Sequence, residues 1–464
     1  MNNILKTGIL ALGLALMPLT PLCYGQAYYA GPPHNVIYWD GDSTTLQTLA
    51  ASPYTDVIVD FVMPDSNCNL SWDGGEPDNL ATSIQTLHQS GKTVLVSFGG
   101  SEQYDKWGND ITSPTYKACY NGNIGYLVNQ LTGIVTGNSP IGPQGASFDG
   151  VDIDFEDTSS FQNQAGYDGV DFLTQLTNGL YNQLPQLSII THAPQTPYWL
   201  QNYSYDMPPY ALLFSKTGNE IAWFNNQTYN NCISGGWDCT AQAKVSDYEA
   251  IVNSWGIPPI RLVVGVPVSY CGTTDNNGNC NGDGYIPFSQ QGGNNLPPDD
   301  NMSWLISELQ QAYPSQFGGV MGWDYSGDIN YDSGTWSGQV AYSLISAQSN
   351  WVGYDYATGL CLDSNYNAFN NNVYTGTCNT GNYQNWKFNG NTIIDAQTGL
   401  CLDSNYSGNV YTDSCNTGNY QNWQFFGNNI RDRQTGLCLQ SDSGGNVTTA
   451  SCDVNNLNQF WFYQ

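Results

Sequence analysis

Eight short β-rich runs separated by helix-length gaps, followed by three near-copies of one cysteine-bearing motif, predict an α/β protein in two parts: a (β/α)8 barrel and then an all-β domain. A third observation marks the join. Near residue 350 the mixed-polarity segments stop and Gly, Asn, Tyr and Cys take over with no helical period. The predicted divisions are residues 1–25 as an export leader, 26–348 as the barrel and 351–464 as the repeat domain.

The leader, "MNNILKTGILALGLALMPLTPLCYG", has one Lys, an apolar run too short to span a bilayer comfortably, and small residues near Gly25 and Ala27. It reads as a secretory signal peptide, so the mature chain is expected to be secreted and extracellular. Cys23 has no small residue just before it, which argues against a lipid anchor. The barrel runs follow: "NVIYWD" from Asn35, "TDVIVDFV" from Thr55, "KTVLVSFGG" from Lys92 and "GVDIDFE" from Gly150. The second half has "LSIITHAP" from Leu187, "EIAWFNNQTYN" from Glu220, "RLVVGVPV" from Arg261 and "GGVMGWDY" from Gly318. In such a barrel the residues ending each strand converge on one mouth, which places Glu156 there.

The chain carries 39 acidic and 10 basic residues, a formal net charge of −29. Such acidity repels nucleic acid and anionic membranes, so neither is an expected partner, and a neutral substrate fits better. One of the thirteen Cys lies in the leader, so twelve remain, an even number that suits disulfides in an oxidising compartment. Short spacings suggest Cys232 with Cys239 and Cys271 with Cys280, leaving Cys68 with Cys119. No CxxC lies beside a His, so no structural metal is expected, and no cofactor.

The fourth run has the most chemistry. In "FDGVDIDFED", Asp152, Asp154 and Glu156 alternate with Val151, Ile153 and Phe155, the period of a strand with one acidic and one apolar face. An acidic edge strand or a carboxylate metal site would also produce this pattern. Asp and Glu are poor strand formers, however, and neighbouring carboxylates repel. Inside a barrel the cost of burying them implies a use: crowded carboxyls cannot all ionise, and one can hold a proton as a general acid.

"DGVDIDFE" resembles the DxxDxDxE signature of glycoside hydrolase family 18, the chitinases and related endo-β-N-acetylglucosaminidases. "SFGG" at Ser97–Gly100 is similar to the family's SxGG, "QTYN" at Gln227–Asn230 to its Gln/Met-x-Tyr-Asp/Asn, and "GVMGWDY" supplies its eighth-strand Trp. The resemblance implies Glu156 as the acid, Asp154 as the orienter of the substrate acetamide and Asp152 as its proton-sharing neighbour. It also implies Tyr229 on the acetamide carbonyl and Trp323 as the floor under the sugar. Gln227, Asn230 and Tyr38 join the candidate substrate-binding set. The implied reaction is retaining and substrate-assisted, with no enzyme nucleophile. Chitin or other N-acetylglucosamine-containing glycans are the expected partners, and an endo-acting, monomeric chitinase is the expected protein. An endo-β-N-acetylglucosaminidase acting on N-glycan cores and a non-catalytic lectin of the same fold are the alternatives. His192, in "THAPQTPYW", reads either as a sugar contact or as a satisfied core histidine.

The repeats are "GLCLDSN" at Gly359, "GLCLDSN" at Gly399 and "GLCLQSD" at Gly436, each followed by a second Cys and then Gln-x-Trp ending at Trp386, Trp423 and Trp461. A period of about 37 residues implies three units sharing one core. Pairs Cys361 with Cys378, Cys401 with Cys415 and Cys438 with Cys452 would staple each unit. The triplet resembles the ricin B-type lectins, which implies a β-trefoil that binds carbohydrate. That resemblance marks Asp363 with Tyr374 and Asp403 with Tyr411 as sugar-binding candidates, whereas the third repeat departs with Gln440 and Thr448.

Overall fold

The computed structural model describes residues 33–41, 46–101, 112–185, 188–232, 236–274, 279–288, 300–314, 316–331, 334–346, 352–364, 371–389, 392–416, 418–426, 429–432, 434–453 and 456–463. The leader, with Cys23, lies outside them.

All eight expected barrel strands form. They are β1 (His34–Trp39), β2 (Asp56–Pro64), β4 (Thr93–Gly100), β5 (Gly150–Phe155), β6 (Ile189–His192), β7 (Phe224–Gln227), β8 (Leu262–Pro267) and β9 (Gly319–Trp323). Each pairs in parallel with its neighbours, and β1 pairs with both β2 and β9, which closes the barrel. The short β3 (Leu70–Trp72), antiparallel to the end of β2, was not expected; three residues are too few to show a period.

Alternation along each strand divides two cores. Val36, Tyr38, Ile58, Leu95, Val263 and Met321 pack together inside the barrel, while Val57, Val59, Val94 and Val96 belong to the larger core shared with the helices. The helices begin where the sequence supplies caps. Asp168 accepts from the Asp171 amide, Thr240 from Ala243 and Asn301 from Trp304. Gly99 has φ +117°, and a Cβ there would lie 2.0 Å from the Asp154 carbonyl oxygen, so only glycine lets β4 run this close to the acidic strand.

Beyond the barrel lie three four-stranded antiparallel sheets, the pseudo-threefold arrangement of a β-trefoil. The first strand of this part, Gly353–Asp355, pairs with the last, Trp461–Tyr463, so the ring closes on itself. Trp386, Trp423 and Trp461 are buried, and their indole N–H groups donate to the carbonyls of Leu362, Leu402 and Leu439 in the "GLCL" segment of the same repeat. Successive repeats are tied by a second cycle. Ser364 donates to Asp395, Ser404 to Asp432 and Ser441 back to Asp355, each at 2.7 Å. All six expected disulfides are present.

Candidate active site

The register of β4, β5 and β6 sets Ser97, Asp152 and Thr191 side by side, one layer below the mouth. Asp152 is fully buried and accepts four hydrogen bonds: from the hydroxyls of Tyr38 (2.8 Å), Ser97 (2.9 Å) and Thr191 (2.5 Å) and from the Asn225 amide (3.2 Å). Burial raises its pKa, and those four donors pull it back.

Asp154, two residues nearer the mouth, accepts one hydrogen bond, from Gln227 Nε2 at 2.8 Å. Its carboxyl is pushed well above the usual range by burial first and then by Glu156, Asp152 and Asp60, with Gln227 opposing. These carboxyls therefore titrate as a group. No hydrogen bond joins Asp152 to Asp154 among the described residues, so the coupling between them is electrostatic.

Glu156 stands just past the end of β5, half-buried. Its Oε2 accepts from Gln195 Nε2 at 2.8 Å and its Oε1 from Gln227 Nε2 at 3.4 Å. One Gln227 amide thus spans Asp154 and Glu156. Tyr229 is buried, its hydroxyl has no hydrogen-bond partner among the described residues, and burial followed by Asp154 and Glu156 raises its pKa well above 10.0. Half-buried Trp323 stacks on Phe61, with centroids 5.9 Å apart, and takes the edge of Tyr38 at 5.7 Å. Asn230 is exposed, in left-handed backbone at φ 62°.

The structure therefore brings Tyr38, Asp152, Asp154, Glu156, Gln227, Tyr229 and Trp323 together at one end of the barrel. Sequence reasoning missed Thr191, Gln195, Asn225, Asp60 and Phe61. Period two was the available signal for Asn225, which shares a strand face with Gln227, whereas Gln195 lies three residues past the end of β6. Asp60 is only 6% exposed and neither carboxyl oxygen has a partner among the described residues. Burial, then Asp40 and Asp324, hold its pKa well above the usual range. His192 is the satisfied core histidine: fully buried, bonded to the Thr177 hydroxyl at 3.1 Å, and pushed by burial down to about 3.

In the trefoil, Asp363 faces Tyr374 across a strand pair, Asp403 faces Tyr411 and Gln440 faces Thr448. The buried Gln of each Gln-x-Trp reaches the first member: Gln384 to Asp363 at 3.0 Å, Gln421 to Asp403 at 2.7 Å and Gln459 to Gln440 at 3.3 Å.

The family model for glycosyl hydrolases family 18 matches residues 34–373. The chain belongs to that family. A second model, the ricin-type beta-trefoil lectin domain, matches residues 354–461, so a family 18 hydrolase precedes a lectin-type carbohydrate-binding domain. Endochitinase 2 of Coccidioides posadasii (strain C735) is 25% identical over 246 residues, 52% of this chain and 24% of that protein. Endochitinase 2 of Coccidioides immitis (strain RS) is 25% identical over the same share of this chain and 23% of its own length. The chain thus spans about a quarter of the length of these curated relatives. Among solved structures, the family 18 chitinase from Pseudoalteromonas aurantia is 31% identical, with a TM-score of 0.51, covering 67% of this chain and 99% of that one. The family 18 assignment agrees with the acidic strand and with the barrel that carries it.

Proposed function

We propose that the protein is a secreted, endo-acting chitinase that hydrolyses β-1,4 bonds between N-acetylglucosamine units with retention of configuration. The observation that carries this reading is the pairing of Asp154 and Glu156 through a single Gln227 amide, near Tyr229, whose hydroxyl has no hydrogen-bond partner among the described residues. Glu156 gives its proton to the glycosidic oxygen as the bond to the anomeric carbon breaks. The substrate's acetamide oxygen forms the new bond to that carbon, giving an oxazolinium ion. Asp154 accepts from the acetamide N–H and stabilises the positive charge there, and Tyr229 donates to the acetamide oxygen. Water then attacks the anomeric carbon, returns a proton to Glu156 and opens the ring. Asp152, fixed by its four donors, tunes Asp154, and Trp323 forms the floor under the sugar.

The six disulfides support an oxidising compartment and hence the leader as an export signal. We place the division between barrel and trefoil at residues 348–351, ahead of the strand Gly353–Asp355 that pairs with the last strand. The trefoil then anchors the enzyme to polysaccharide through Asp363 with Tyr374 and Asp403 with Tyr411.

Product anomers followed by NMR in the first minutes on chitin oligomers test the mechanism. The β-anomer is expected first, and an initial α-anomer overturns it. Glu156→Gln keeps the shape but has no acidic proton; it should lose at least about 10²-fold in kcat while still binding oligosaccharide. Parallel incubation with a high-mannose glycoprotein separates this activity from cleavage of N-glycan cores.

A further inference from the structure

The segment joining β8 to the helix Met302–Ala312 opens at the barrel mouth and carries Tyr270, an exposed ring at 55% of its surface. Exposed tyrosines are common, but the segment that carries this one is tied to residues of the site. Three ties fix its frame. The disulfide Cys271–Cys280 closes the loop at a Cα separation of 4.5 Å. Val268 N–H donates to the Trp323 carbonyl at 2.7 Å, and a Cβ on Gly272 would lie 2.9 Å from that same oxygen. On the other flank, Gly284, with φ +80°, is pressed so closely on Tyr229 that a Cβ would lie 2.6 Å from the Tyr229 Cα.

The ring itself is braced from two directions. A Cβ on Gly282, with φ +63°, would lie 2.2 Å from the Tyr270 ring, so the ring lies against bare backbone. Tyr285 meets it edge-on, with centroids 6.3 Å apart at 86°. An aromatic face presented to solvent and already immobilised loses little freedom when something covers it. A pyranose offers a suitable cover, because its axial C–H groups form an apolar face that packs on a tyrosine ring. The backbone ties to Tyr229 and Trp323 anchor the segment that carries Tyr270 to the two residues proposed to hold the sugar at the cleavage point.

We propose that Tyr270, laid on Gly282 and braced by Tyr285, is a stacking platform for a further sugar of the same substrate chain, beyond the one over Trp323. This rests on the reading of the barrel as a glycan hydrolase and adds to it a preference for longer chains. The disulfide Cys271–Cys280 then serves specificity, by holding a subsite in place.

The test compares kcat/KM on the chitin hexamer with kcat/KM on the shortest oligomer the full-length protein cleaves. Tyr270→Ala should lower that ratio roughly three- to ten-fold, the scale of one lost stacking contact. Tyr270→Phe, which keeps the ring, should retain the parent ratio. An unchanged ratio in Tyr270→Ala overturns the proposal, whether activity is kept at every length or lost equally at every length. A parent protein that cleaves no chitin oligomer overturns the underlying reading of the barrel, and the subsite with it.

Discussion

Gln195 Nε2 donates to Glu156 Oε2 at 2.8 Å, a hydrogen bond between the segments that follow β6 and β5. Together with Gln227 on Oε1, it holds both oxygens of the proposed acid. A long flexible carboxyl at a strand end would otherwise sample several rotamers, and fixing one prepays that ordering.

Gln195→Ala should therefore lower kcat by roughly 10- to 100-fold with KM little changed, because the acid is misplaced while the sugar contacts remain. Gln195→Glu removes the donor and adds a like charge, so its loss should be the greater. Steady-state kinetics on chitin oligomers give the split between kcat and KM. Equal kcat in parent and Gln195→Ala would show that Glu156 is held by other means.

Asp60 predicts a pH dependence of stability. Its folded-state pKa is raised by burial and by Asp40 and Asp324, so its contribution is fully present below the ordinary carboxylate pKa and is lost as pH rises toward the raised value. Asp60→Asn removes this titration. The gain in Tm over the parent should be smallest near pH 4 and grow toward pH 7. The comparison must be between the two proteins, since His192, depressed to about 3, makes stability fall in the opposite direction as pH drops below its ordinary 6.5. A gain independent of pH would mean that Asp60 keeps an ordinary pKa in the fold.

For the trefoil, Asp363→Ala with Asp403→Ala should lower polysaccharide binding by the full-length protein to what the barrel alone supplies, while leaving it folded. Gln384 and Gln421 would keep their hydrogen bonds to the carbonyls of Thr377 and Ser414, both at 3.1 Å, so neither amide is stranded. The cost in stability should be about 1 kcal/mol per site. Gln440→Ala should change binding little. Pull-down on insoluble chitin and thermal melts are the readouts, and binding by the double variant at the parent level would place the sugar elsewhere.

Eight barrel strands, a three-unit repeat and an acidic strand were legible in the sequence, which also suggested the cysteine pairs that the structure shows. These are written in local spacing: period two assigns a face, a repeated motif assigns a unit, and short separations suggest every Cys pair but Cys68 with Cys119, which are 51 residues apart. Who meets whom across the barrel follows from strand register and closure. The four donors around Asp152 come from residues 39 to 114 positions away in the chain, and only the strand register and closure bring them together. Gln195 lies in a stretch with no strand pattern of its own, and Asp60 lies within a β-rich run that reads as core. The trefoil divides in the same way. The Gln-x-Trp motif was legible as a core signature, but the reach of its Gln to Asp363 and Asp403 follows from the fold of each repeat. Alternation says which way a side chain points; the partner it finds there depends on strands that sequence proximity does not connect.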